Sequence, residues 1–203
     1  MEREDMYSFL IRAAIPRVDK HYLPEGLDES NWIWDAVFRA HRDVLTGRGN
    51  VTAYSNPKNV KEFTVGRMNR KVNTIALSLY NLIEEKRANG VMLTSEQLIS
   101  EMKDSEQGSV IAFGQLQKLV NMTLKYLVIL QSFGKIEPVV DVNECDCPID
   151  SIIIKKLGLG EKYRWTSLKE SEYKELQERV AKEIKTDSRL KYDFKVWQEP
   201  NEQ

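Results

Sequence analysis

The run GQLQKLVNMTLKYLVIL, residues 114–130, constrains this chain more than any other stretch. It contains no proline and only one glycine, at its start, and it reads as a long, mostly apolar helix. A helix this apolar is a core element, and the rest of the chain must be organised around it. Its polar positions are not scattered. Gly114, Lys118, Asn121 and Lys125 fall at i, i+4, i+7 and i+11 and form one stripe along the helix. Downstream, Pro148-Ile149-Asp150 brings a carboxylate to the start of another helix. A lysine on a buried helix and an acid at a helix mouth serve either chemistry or scaffolding.

With 203 residues the chain can bury a sizeable core. A net charge of −1 provides no overall basic footprint for bulk nucleic-acid binding and leaves room only for a local basic face. Cys145 and Cys147 are the only cysteines. Their C-D-C spacing is too tight for an ordinary structural disulfide, and no second pair exists to complete a zinc site. The histidines, His21 and His41, are too few to help. The expectation is a protein without metal or cofactor in a reducing, cytoplasmic compartment. MEREDMYSFL lacks a signal-peptide apolar region, and no apolar run approaches the roughly 20 residues needed to span a membrane.

Periodicity predicts helices over 4–20, 30–45, 68–88, 94–103, 110–130, a short stretch after Asp150, and 167–185. Asn89-Gly90 supplies a left-handed stop for the third. Thr94 to Gln97 and Ser167 to Glu170 have capping-box spacing. The segment Leu190–Trp197 alternates apolar and polar residues and reads as extended. The fold class is therefore all-α with little or no sheet. Its expected organisation is one helical domain over 1–203: a first lobe over about 1–66, a second over about 67–166, and a C-terminal helix and tail over 167–203.

A short helix, a glycine-bearing turn and a second helix over 95–130 make the outline of a helix-hairpin-helix. Such a turn holds a DNA phosphate on free backbone amides, without needing basic side chains. Gly114 followed four residues on by Lys118, then Pro148-Ile149-Asp150 and Leu157-Gly158-Leu159, resembles the helix-hairpin-helix DNA glycosylases. The likeness is greatest to the 8-oxoguanine branch and its archaeal-type members, whose Lys-to-Asp spacing is similar to the 32 residues between Lys118 and Asp150. Uncharacterised bacterial proteins share the pattern Gln117-Lys118, Asn121, Leu124-Lys125-Tyr126-Leu127, Cys147-Pro148-Ile149-Asp150 and Trp165-Thr166. The resemblance spans 95–166, and it departs at Leu116, where a second hairpin glycine is common.

The resemblance implies a two-lobed all-α fold and a monomer that excises an oxidised or otherwise modified base from double-stranded DNA, 8-oxoguanine or a modified phage base. Lys118 would be the nucleophile and Asp150 the carboxylate that stabilises oxocarbenium charge on the sugar. Attack requires an unprotonated amine, a form that an apolar helix favours. A Schiff base would permit β-elimination, the AP-lyase step. Gly114, Gln115, Gln117, Lys125 and Arg48 would contact DNA. A flipped base needs an aromatic pocket, for which Trp32, Trp34 and Trp165 are the candidates, with Phe38 and Tyr126 behind them. The alternative is a non-catalytic helical module that binds DNA or protein. A helical RNase of defence systems finds no support, since neither histidine sits in an Arg-x4–6-His context.

Overall fold

The computed structural model describes residues 3–18, 23, 26–28, 31–45, 65–105, 111–184 and 188–199. Among them the chain is all-α, with eight helices and no named strand: α1 (Arg3–Ala14), α2 (Trp32–Leu45), α3 (Val65–Ala88), α4 (Ser95–Asp104), α5 (Phe113–Ser132), α6 (Ser151–Lys156), α7 (Glu170–Glu183) and α8 (Leu190–Gln198). Single 3-10 turns lie at Val142–Glu144 and Trp165–Ser167. Among these residues no helix is long and apolar enough to cross a membrane.

Local chemistry sets most of the boundaries. α1 stops at Ala14 and not near residue 20, because the residue before Pro16 is pushed out of the helical region. α3 ends as its sequence predicts: Gly90 takes φ 67°, and Val91 N–H closes on Lys86 O at 2.9 Å. Thr94 caps α4 by accepting from Gln97 N–H at 3.3 Å. α7 begins three residues later than expected. Glu172 accepts from Lys169 N–H at 2.8 Å, whereas Ser167 belongs to the preceding 3-10 turn and donates to Arg164 O. The larger correction is Leu190–Trp197, which is helical. Its buried residues Leu190, Asp193 and Val196 recur every three positions, but the middle one is a carboxylate, so an apolar count misses the helical face.

α5 is the central element, packed against α2, α4, α7 and the 165–167 turn. Leu116, Leu119, Val120, Leu124, Leu127 and Leu130 are all within 1% of full burial, so apolar neighbours surround it. α2 covers one side with Ile33, Trp34, Val37, Ala40 and Val44. It is tied across by Tyr126, whose hydroxyl donates to Asp43 at 2.5 Å while Arg39 pairs with the same carboxylate at 2.8 Å. α4 and α7 flank the polar stripe of α5, which turns inward to meet residues 146–193.

Candidate active site on the central helix

Residues 145–150 cross the molecule without regular structure, yet Cys145, Cys147, Ile149 and Asp150 are buried. Backbone polar groups in such a segment must find partners. Two glutamines supply them at alternate residues. Gln177 of α7 accepts from Cys147 N–H at 3.1 Å and donates to Cys147 O at 2.6 Å. Gln117 of α5 accepts from Ile149 N–H at 3.2 Å and donates to Ile149 O at 2.7 Å, with a further bond to Gly114 O at 2.9 Å. Each side-chain amide acts as a neighbouring strand would, and both glutamines are buried.

A second polar network anchors the head of the same segment. Tyr173 donates to Asp146 at 2.6 Å and accepts from Asn121 at 2.8 Å. Ser95 donates to Asn121 Oδ1 at 2.7 Å and accepts from Asp146 N–H at 2.8 Å. Burial raises the Asp146 carboxyl above its ordinary pKa, while the Tyr173 hydroxyl and Arg189, 3.0 Å away, act in the opposite direction. Burial also raises both thiols, Cys145 to about 12, which makes them poor nucleophiles and metal ligands.

The clamp delivers Asp150 to the mouth of α6 with its two oxygens divided between tasks. Oδ1 accepts from Ile152 N–H at 2.9 Å and Ile153 N–H at 3.0 Å, the geometry of a helix N-cap. Oδ2 faces Lys118 Nζ at 3.6 Å. That is an ion-pair distance, longer than a hydrogen bond, so the ammonium donors are not locked onto the acid. Lys118 and Asp150 are each only 8% exposed. The Lys118 ammonium also lies 4.4 Å from the centre of the Trp165 ring. Lysine, carboxylate and indole thus meet at one small, nearly dry site.

Gly114 makes this meeting possible, though not as an open phosphate cradle. It is buried in the first turn of α5, and a Cβ there would lie 1.8 Å from Trp165 O and 3.1 Å from Leu168 N. The absent side chain lets the 165–167 turn seat directly on α5, which holds Trp165 over Lys118.

Several expected contacts with DNA are corrected by these placements. Gln117 is fully buried and engaged with Ile149, and Gln115 is buried as well. Lys125 is not a free phosphate ligand. It pairs with buried Asp193 of α8 and lies 5.3 Å from the Phe194 ring and 5.5 Å from the Trp197 ring. Burial raises the Asp193 carboxyl above its ordinary pKa, and Lys125 opposes the rise. Arg48 lies outside the described residues. Of the aromatic candidates, Trp165 joins the pair. Trp34 is fully buried against Tyr80 in a T-shaped contact at 5.6 Å, and Trp32 is covered by the Arg12 guanidinium at 3.2 Å. Phe38 packs beside Trp34, and the Tyr126 hydroxyl is committed to Asp43.

Gln177 and Tyr173 escape sequence reasoning because they sit on a helix whose charge pattern suggests a solvated face. The available signal is their i, i+4 spacing beside Leu176 and Val180, which marks one buried stripe. Among the described residues no cluster of three or more His, Cys, Asp or Glu could hold a metal ion. Comparison of the chain with known protein families, with curated proteins and with solved structures finds no match.

Proposed function

We propose that the chain is a DNA N-glycosylase of the helix-hairpin-helix type, with two lobes flanking a DNA cleft, that removes an oxidised or otherwise modified base from duplex DNA. One observation carries the reading: Lys118 and Asp150, 32 residues apart in sequence, face one another at 3.6 Å in a nearly water-excluded site roofed by Trp165. Structural ion pairs occur in many proteins, but burying one is expensive and contributes little net stability. A pair whose acid is held by a dedicated glutamine clamp suits chemistry better than cohesion.

In this mechanism Lys118 attacks C1′ of the target nucleotide as the free amine, and the proton it gives up passes by way of Asp150 Oδ2 to the departing base, so Asp150 is a carboxylate as charge develops on the sugar. A C–N bond forms to the lysine. The glycosidic bond breaks with its electron pair leaving on the base, which takes up a proton. Asp150 stabilises the positive charge that develops on the sugar, and its Oδ1 bonds to two amides keep it aimed throughout. Opening of the sugar ring gives a Schiff base. Loss of a C2′ proton then expels the 3′-phosphate, the lyase step.

The test is borohydride trapping on duplex DNA containing an abasic site. Wild type is expected to form a covalent adduct that Lys118→Gln does not. No adduct and no cleavage of abasic DNA by wild type sinks the lyase step. Mass spectrometry of bases freed from a panel of modified duplexes identifies the substrate, and no release from any of them, together with no adduct, leaves a non-catalytic module as the correct reading.

A further inference from the structure

A cleft of about 440 Å³ opens beside the Lys118–Asp150 pair, lined among others by Ser151, Ile154, Tyr163, Arg164, Trp165 and Thr166. It shares Trp165 with the pair, and Ser151 directly follows Asp150, so the two sites are contiguous. Its volume suits a nucleotide-sized group.

The wall chemistry selects the occupant. It carries one cation, two aromatic rings and the hydroxyls of Ser151, Thr166 and Tyr163, the last already donated to Glu175 at 2.7 Å, and no carboxylate lines it. Two other surface clefts differ sharply. One is lined by Glu175, Glu178 and Glu183 with two cations, and the other by Glu96, Glu144, Asp146, Glu170 and Glu178 with three, so acids outnumber cations in both. An anion entering either would meet repulsion that the first cleft lacks. Arg164 is exposed, and among the described residues its guanidinium has no ion pair or hydrogen bond. The side-chain hydroxyls of Ser151 and Thr166 are likewise uncommitted among the described residues. Lys156 is engaged by Glu199 at 2.6 Å and Lys162 by Glu175 at 3.6 Å, and neither lines the cleft, so Arg164 is the charge on its wall. The cleft is also stiff on one side, because Trp165 and Leu168 rest on the bare backbone of Gly114.

We infer that this cleft holds a backbone phosphodiester of the DNA strand next to the target nucleotide, with Arg164 as its charged ligand and the hydroxyls of Ser151 and Thr166 as additional donors. The inference rests on the DNA reading given above. A guanidinium fits two phosphate oxygens at once, and hydroxyls complete the set where a second cation would overbind. The contact would fix the strand within reach of Lys118 without contributing to bond cleavage.

The test measures affinity for a short duplex carrying one tetrahydrofuran abasic analogue, by fluorescence anisotropy over a range of salt concentrations. Arg164→Gln is expected to weaken binding about tenfold or more at low salt and to reduce the log K against log salt slope by about 0.9, the loss of one phosphate contact. Ser151→Ala with Thr166→Val should weaken binding while leaving the slope unchanged. Arg87→Gln, on α3 and outside all three clefts, is the control and should match wild type. An Arg164→Gln protein that retains wild-type affinity and slope overturns the inference and leaves the glycosylase reading standing. Wild type that neither binds this duplex nor forms a borohydride adduct overturns both.

Discussion

Replacing Gln117 by leucine tests whether the glutamine clamp is the device that sets Asp150. Leucine fills nearly the same volume but cannot bond to Ile149. Two buried backbone groups, Ile149 N–H and C=O, then lose partners now at 3.2 and 2.7 Å. Each orphaned group costs about 1–3 kcal/mol, and the apolar burial of leucine offsets part of the sum, leaving about 2–4 kcal/mol. Urea denaturation read by circular dichroism gives the value directly. Gln97→Leu, on the exposed face of α4, is the matched control and should change stability by no more than about 0.5 kcal/mol. The same variant should slow borohydride trapping by about 100-fold, because Ile149 precedes Asp150 and a displacement of about 1 Å is enough to spoil attack geometry. If Gln117→Leu unfolds within about 0.5 kcal/mol of wild type, the clamp is not holding the segment and the account of Asp150 fails with it.

The remaining predictions concern the other parts of the site and the core. Asp150→Asn should keep the N-cap but leave the buried Lys118 ammonium unpaired, lowering stability by about 1–3 kcal/mol, and Asp150→Ala should lose about 0.5–2 kcal/mol more; both should reduce trapping by 100-fold or more, on the order expected for removing one charge-stabilising group. Equal trapping by wild type and Asp150→Asn would leave the acid a cap only. Gly114→Ala, though it favours a helix intrinsically, places a methyl 1.8 Å from Trp165 O and should lower stability by about 1–3 kcal/mol and reduce trapping; an unchanged melting temperature would mean the turn is not seated as described. Burial lowers His41 from 6.5 to about 4, so the unfolded chain binds more protons in that interval. Stability from this group is complete above pH 6.5 and falls by about 3 kcal/mol as pH drops through 4. The raised carboxyls Asp146 and Asp193 act with the opposite sign, so the difference between wild type and His41→Leu across that range is the quantity to measure. A variant with the same pH slope as wild type would refute the assignment.

Much of the helical plan is legible in the chain because local rules govern it. Apolar periodicity marks α2, α3 and α5, Gly90 can turn where a side chain would strain, and Thr94 caps its own helix. Lys118 and Asp150 are also visible as residue types in a suggestive order, since the positions of a stripe on a helix and of an acid at a helix mouth are properties of short segments. What the sequence does not contain is direction over long range. Gln117 and Lys125 read as DNA contacts because an isolated polar residue is assumed to face water, yet the fold turns one toward Ile149 and the other toward Asp193. Helix α8 was hidden for the same reason, as its buried face includes a carboxylate whose partner lies 68 positions away in the chain. The sequence alone determined an all-helical chain around one apolar helix with a lysine on its polar stripe. Only tertiary packing decided that the stripe faces inward, that Trp165 and not Trp34 covers the lysine, and that Asp150 turns one oxygen to Lys118 while the other caps α6. The burial and pairing of a polar side chain depend on which distant backbone arrives beside it, and no local pattern encodes that arrival.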